Sequence, residues 1–383
     1  MPRPILATID TEALSHNLRI VAGRLSRDTA DSPRIWAVIK ARGYGHGLSA
    51  ALQGFSQADG LAMLDLDEAV RCRESGWSGP LLLLEGFFET SDLDVLDRYR
   101  IATTLHCDEQ MAMLEACRIP HALDAFVKLD SGMHRLGFQP DEFRAAFGRA
   151  QALQSAGILN DVGKMTHFAR ADDDPAFTRV QLARFQAAAQ GLPGPVSVCN
   201  SAATLTPGFA AGVSDGHAGY TQWVRPGICL YGASPFASQS AESFGLHPAM
   251  TLSSQLISVH VLPTGEAIGY GQTFRADHAM RVGIVACGYA DGYPRHAVTG
   301  TPVTVAGVRT QLLGRVSMDM LAVDLGPVPQ AHVGSPVVLW GAGGPSVDEV
   351  ALSCGTIGYE LLTAITPRVP RSVVQASPSG NPL

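Results

Sequence analysis

Eight short apolar runs recur between residues 35 and 225, at 35–39, 62–65, 81–84, 101–105, 125–129, 164–168, 196–199 and 223–225. Helical patterns such as 67–74, 108–117, 140–155 and 175–190 separate them. Eight strand–helix alternations within about 200 residues are what a (β/α)8 barrel requires, with an open doubly wound sheet as the rival. The ends of the chain do not share this rhythm. Residues 4–9 read as a strand, and 11–25 as an amphipathic helix with Leu14, Leu18, Val21 and Leu25 on one face. Past residue 240 the runs become β-branched and alternating, at 252–262, 281–287, 301–308, 321–325 and 336–340, bounded by Gly and Pro turns. Two helices, 347–352 and 359–365, precede the RVPR segment.

At 383 residues the chain exceeds what one core usually supports, so two domains are expected. The fold class is therefore α/β plus β, a (β/α)8 barrel followed by a mostly β C-terminal domain. The opening strand, 1–10, is expected to pair within the C-terminal domain, 239–376, leaving the barrel, 11–238, as an insertion, and the tail 377–383 is expected to be disordered.

The stretch 34–48, RIWAVIKARGYGHGL, places a lysine, Lys40, at the end of the first apolar run, before glycines 43, 45 and 47 and a helix starting near Leu48. An ammonium held at an apolar strand end tends to lose its proton, and a neutral amine forms a Schiff base with an aldehyde. Glycines let backbone N–H groups approach an anion, and a helix N-terminus favours phosphate. Aldehyde and phosphate together describe pyridoxal phosphate (PLP). A lysine that snorkels at a strand end before an ordinary turn is the plainer alternative.

Composition removes other classes. The net charge of −7 comes without a basic stripe or a run of like charges, which gives no footing for nucleic acid or an anionic membrane. No apolar stretch approaches the roughly 20 residues of a membrane span, and the first ten residues lack a signal core, so a cytoplasmic protein acting on small molecules is expected. Seven scattered cysteines without a C-x-x-C argue against disulfides or a zinc site, so no metal is expected.

In barrels of this type function sits at the C-terminal ends of the strands. The polar candidates fall there: Lys40 and Tyr44 after the first run, Lys128 and Arg135 at and after the fifth, His167 near the end of the sixth, Asn200 and Ser201 after the seventh, Arg225 closing the eighth. Ser201 and the backbone of 226–228 would form a phosphate cradle after strands seven and eight.

At this point the sequence resembles the alanine racemase family. The segments that carry the likeness run nearly end to end: AVIKARGYGHG, KLDSGMHRLGF, THFARAD, NSAATL, VRPGICLYG, GYGQTF, GYADGYPR, GRVSMDM, TIGYELL and TPRVPR. The resemblance implies that Lys40 carries PLP, with Tyr44, Asn200, Ser201, Gly227, Ile228 and Tyr359 as cofactor contacts, most of them around the phosphate, and Arg225 on the pyridine nitrogen. It implies Tyr270 as the second base, His167 bridging Arg225 and Tyr270, and Arg135 holding the substrate carboxylate. Tyr270, Tyr289, Met318 and Asp319 would reach the barrel of a neighbouring subunit, making the enzyme a head-to-tail homodimer with alanine as substrate. Lys128 matches a position that can carry a carbamate.

The chemistry of that assignment is consistent. Racemisation removes a proton from one face of Cα and delivers one to the other, so two bases on opposite sides are needed. Lys40 and Tyr270 both start near pKa ~10 and must be pulled toward neutrality by burial or neighbouring positive charge. Arg225 beside the ring nitrogen keeps that nitrogen unprotonated, which disfavours decarboxylation and other reactions that use a stronger electron sink. Taken alone, Tyr270 and Tyr289 would read as surface strand tyrosines and His167 as a structural histidine. Asp172 and Asp291 are expected near the entrance. The chain departs from the family pattern at Arg42 and Gly43, where Asn or Asp followed by Ala is usual. Alternatives are a racemase of broader range and a PLP-binding protein without turnover. A role in peptidoglycan supply or in D-alanine breakdown is equally compatible with these residues.

Overall fold

The computed structural model describes residues 3–25, 32–213 and 220–375, so the tail 377–383 lies outside the described residues. Strand β1 (Leu6–Asp10) runs directly into the helix Thr11–Leu25, and Asp10 Oδ1 starts that helix by accepting from Glu12 N at 2.9 Å and Ala13 N at 3.2 Å. Its buried face carries Leu14, Leu18, Val21 and Leu25.

The eight runs become β2 (Arg34–Val38), β3 (Gly60–Met63), β4 (Leu81–Leu83), β5 (Ala102–Leu105), β6 (Leu123–Lys128), β7 (Leu159–Met165), β8 (Val196–Ser197) and β9 (Gln222–Val224). Each pairs in parallel with the next, and β9 returns to β2 through Arg34↔Trp223 and Ile35↔Val224. That pairing closes the barrel and excludes the doubly wound sheet, which would leave both edge strands open. The N-terminal end of the barrel is filled by Trp36, Phe126 and Trp223, with the two indoles stacked at 4.2 Å. Glycine neighbours make the room, since a Cβ on Gly60 would lie 2.3 Å from the Trp36 ring and one on Gly163 would lie 2.5 Å from Phe126.

The remaining strands are β10 (Met250–Leu262), β11 (Ala267–Ile268), β12 (Phe274–Arg275), β13 (Met280–Val285), β14 (Pro302–Val305), β15 (Val308–Leu313), β16 (Leu321–Asp324), β17 (Pro336–Trp340) and β18 (Arg371–Val374). They form the order β13-β16-β15-β14-β17-β10-β1-β18, with β11 and β12 as a separate pair, and a β10–β13 pairing closes six of them into a ring. The length of β10 allows this: its first half pairs with β1 and β17, and past a register shift between Leu256 and Ser258 its second half pairs with β13. Strand β1 lies between β10, antiparallel, and β18, parallel, so the first strand of the chain is part of the last sheet.

Two runs differ from expectation. Residues 301–308 are not one strand: Ala306 and Gly307 have φ of 48° and 80°, and the chain reverses between β14 and β15. Apolar residues on both sides of that two-residue turn concealed it. The sixth barrel strand begins at Leu159 rather than at 164, and its exposed polar residues Asn160 and Asp161 hid that start from a reading of apolar runs.

Between the two sheets, buried Asn17 holds the connecting segment. Its Nδ2 donates to Leu230 O at 3.1 Å and His247 O at 2.8 Å, and its Oδ1 accepts from His247 N at 2.8 Å.

Candidate active site

A cavity of about 160 Å3 opens at the C-terminal ends of the barrel strands. Six of the eight strands deliver polar residues by position: Lys40 after β2, Glu85 after β4, Lys128 at the end of β6, Arg135 in the loop beyond it, His167 after β7, Asn200 and Ser201 after β8, Arg225 and Gly227 after β9. Tyr44 lines it from the turn behind Lys40, and Tyr359 from the helix Gly358–Ala364 of the C-terminal unit. A wider opening of about 1000 Å3 lies at the other rim, but neither lysine at a strand end, 40 or 128, lines it.

Among the described residues, the turn behind Lys40 holds a run of four successive left-handed positions. Ala41, Arg42, Gly43 and Tyr44 all have left-handed φ, at 54°, 54°, 61° and 49°. Such a run costs about 1–2 kcal/mol for each non-glycine residue and persists only where the surroundings over-determine it. Three side chains do so here. Glu68 Oε1 accepts from Arg42 N at 2.8 Å, Arg371 Nε donates to Gly45 O at 3.0 Å, and His46 Nδ1 lies 3.0 Å from Gly43 O and 2.9 Å from Tyr44 O. Gly43 takes its place for two reasons, its φ and the 2.9 Å that would separate a Cβ there from Ala51 Cβ.

Arg225 is 4 % exposed and spends its fork on the barrel. Nη1 donates to Ser197 Oγ at 2.6 Å, and Nη2 donates to Thr166 O at 2.6 Å and to His167 Nδ1 at 3.3 Å. His167 therefore accepts at Nδ1 and carries its proton on Nε2. Burial holds its pKa well below the usual histidine range, reinforced by Arg225, Lys128, Arg135 and Lys40, so the ring is neutral. Burial, then Arg135, also lowers Lys40, against an opposing pull from Glu85. Burial pushes Lys128 down to about 8, helped by Arg225 and Arg135.

The lining thus holds four cationic side chains, Lys40, Lys128, Arg135 and Arg225, against one carboxylate, Glu85. Lys128 has no ion-pair partner among the described residues although it is buried. Ser201 Oγ accepts from Gly227 N at 2.8 Å, and a Cβ on Gly227 would stand 2.2 Å from Tyr44 Oη, so only glycine leaves this corner open. An excess of buried cations, a hydroxyl-and-amide corner and a proton-shedding lysine suit an anionic aldehyde such as PLP. Asn200 serves the corner indirectly, its Oδ1 accepting from Ala203 N at 3.1 Å to start the helix Ser201–Leu205. Ile228 begins the turn Ile228–Tyr231, with its side chain buried.

Besides Ile228, which does not line the cavity, four expected site residues are not brought to it within one chain. Tyr270 is 71 % exposed, and Tyr289, Met318 and Asp319 also sit on the surface of the C-terminal unit. Asp319 pairs with Arg3 at 3.2 Å and Arg368 at 2.6 Å. The same two arginines hold Asp291, which is fully buried and caps the turn Tyr289–Asp291, so this residue anchors the turn that carries Tyr289. Asp172 is exposed and close enough to Tyr359 to act on its phenol electrostatically. Reading the sequence missed Glu85, although it ends an apolar run just as Lys40 does, and missed Glu68, His46 and Arg371.

Models of the alanine racemase N-terminal and C-terminal domains match residues 9–235 and 249–373. The chain is 62 % identical over 375 residues to an alanine racemase of Bordetella avium, covering 97 % of this chain and 99 % of that one. It is 52 % identical over 372 residues to one of Paraburkholderia phytofirmans, with the same coverage. Among solved structures, the biosynthetic alanine racemase of Pseudomonas aeruginosa superposes with a TM-score of 0.90 at 44 % identity, covering 97 % of this chain and all of that one. The alanine racemase of Acinetobacter baumannii gives 0.87 at 35 % identity, again over 97 % and 100 %.

Proposed function

The chain belongs to the alanine racemase family, and from that premise we propose how its cavity serves the interconversion of L-alanine and D-alanine, the two-base isomerisation that this family carries out. The observation that carries the assignment is the convergence of Lys40, Arg225 and the Ser201–Gly227 corner on one cation-rich cavity. Lys40, Tyr44, Asn200, Ser201, Arg225, Gly227, Ile228 and Tyr359 would hold PLP there. When bound, PLP supplies an aldehyde that joins amines and a ring that withdraws electrons from the substrate Cα.

Lys40 Nζ, its proton loosened by burial and by Arg135, takes or returns a proton on one face of Cα. Tyr270 Oη does the same on the opposite face. Because Tyr270 is exposed and outside its own chain's cavity, it serves the cavity of a second copy, and the working unit is a head-to-tail homodimer with Tyr289, Met318 and Asp319 supplied the same way. His167, accepting from Arg225 at Nδ1, keeps its Nε2–H for Tyr270. Arg225 forms no ion pair with a carboxylate among the described residues and stays cationic, so beside a bound pyridine nitrogen it would discourage protonation there and the side reactions that follow. Arg135 is placed to take the substrate carboxylate. A carbamate on Lys128 would turn that cation into an anion beside Arg135, and a pKa of about 8 supplies the neutral amine it needs.

The barrel unit 11–238 and the unit 239–376 would act as separate suppliers of groups to each site. No helix among the described residues is long and apolar enough to cross a membrane; a cytoplasmic enzyme feeding D-alanine to cell-wall synthesis, or consuming it, fits this reading. The test is incubation of purified protein with PLP and L-alanine, L-serine or L-lysine in deuterated water. D-alanine carrying deuterium at Cα is expected, with little product from the other two. Cofactor binding without exchange on any substrate would refute the assignment.

A further inference from the structure

The left-handed turn that presents Lys40 and Tyr44 ends on a histidine to which the racemase chemistry gives no task. We propose that His46 is the positioning residue of the cofactor anchor: its Nδ1–H, shared between the carbonyls of Gly43 and Tyr44, locks the turn in the geometry that aims Lys40 and Tyr44 into the cavity. This rests on the reading of the cavity as a PLP site.

The hydrogen bonds of the turn single out His46. Gly43 N, Gly45 N, His46 N and Gly47 N donate to the carbonyls of Ile39, Ala41, Gly43 and Arg42, so most of the turn is closed by its own backbone. Arg42 N goes to Glu68 and Gly45 O is served by Arg371. The Tyr44 carbonyl is served by His46 Nδ1. The ring is 1 % exposed, and its other nitrogen, Nε2, has no partner among the described residues, so the Nδ1 side alone orients it. The ring sits 4.7 Å from that of Tyr231, which also stacks on Tyr44 at 4.6 Å and donates from its hydroxyl to Val38 O at 3.0 Å, two residues before Lys40. His46 is thereby fixed to the same frame as both groups it positions. Burial pushes its pKa down to about 4, which keeps the ring neutral, and two carbonyl acceptors facing Nδ1 place the single proton there.

The test compares wild type with His46→Phe, which fills the space without a donor, and His46→Asn, whose amide nitrogen can take the place of Nδ1. PLP affinity is measured by titrating cofactor-free protein and following the absorbance of the lysine-bound cofactor. His46→Phe should bind PLP about ten- to a hundredfold more weakly, the weight of a buried acceptor left without its donor, and should shift the pH at which the bound cofactor's absorbance titrates. His46→Asn should stay near wild type in both. A Phe variant that is merely less heat-stable, with unaltered affinity and absorbance titration, overturns the inference. Should that variant not fold, 15N spectra of histidine-labelled wild type decide: a proton on Nδ1 supports the lock, and a proton on Nε2 overturns it. Wild type that binds no PLP would instead refute the cofactor reading.

Discussion

Replacing Gly43 with valine strikes the left-handed turn where it is tightest. Its φ of 61° costs an L-residue about 1–2 kcal/mol, and more for a β-branched one. The new Cβ would lie 2.9 Å from Ala51 Cβ, an overpacking worth about 1–3 kcal/mol. Together Gly43→Val should destabilise the enzyme by about 2–5 kcal/mol. At about 1.2 °C per kcal/mol for 383 residues the melting temperature should fall by roughly 2–6 °C. Arg42→Asn should act with the opposite sign. Arg42 has the same left-handed φ of 54°, its side chain is exposed, and the bond to Glu68 comes from its backbone N–H and survives the change. Asparagine tolerates this conformation, so a gain of about 0.5–1 kcal/mol is expected. Differential scanning calorimetry on cofactor-loaded and cofactor-free protein measures both, with PLP retained on dialysis as the second readout. If Gly43→Val melts with wild type, or Arg42→Asn lowers the midpoint, the strain does not reside in this turn and the reasoning fails.

Lys40→Ala should lose its PLP on exhaustive dialysis together with all racemase activity; retained cofactor absorbance would place the anchor elsewhere. Tyr270→Phe should keep the cofactor yet lose racemisation by about 10²–10⁴-fold, the usual weight of a general acid–base group, and near-normal turnover would remove Tyr270 from that role. Asn17→Leu leaves the buried Leu230 carbonyl and the part-buried carbonyl and amide of His247 without their side-chain partner and should cost about 1–3 kcal/mol in urea unfolding. For pH, a His46 pKa of about 4 lies below the unfolded value of 6.5, so between those values the unfolded chain binds the extra proton. Its neutral ring therefore contributes stability fully above 6.5, and that contribution is lost as pH falls toward 4. The cofactor-free stability of His46→Asn should decline with acid less steeply than wild type, by up to about 1.4 kcal/mol per pH unit, and identical slopes would disprove the burial argument.

What could be read from the amino-acid order was whatever depends on near neighbours. Each barrel strand is a run of a few apolar residues, each helix a 3.6-residue pattern, and their alternation specifies a parallel sheet covered on both faces, whose closure into a barrel was decided by the β9–β2 pairing. A residue just past such a run inherits the functional rim, which is why Lys40, Lys128, His167, Ser201 and Arg225 could be placed together without coordinates. Only the tertiary structure decided the rest, because it depends on partners far apart in the chain. Nothing local marks Arg371, 326 residues on, as the donor to Gly45 O, nor Arg3 as the partner of Asp291 across 288 residues. Four successive left-handed residues run against the preferences of Ala, Arg and Tyr, so no propensity would assign them. They exist because Glu68, His46 and Arg371 converge on one turn, and that turn is what aims the lysine.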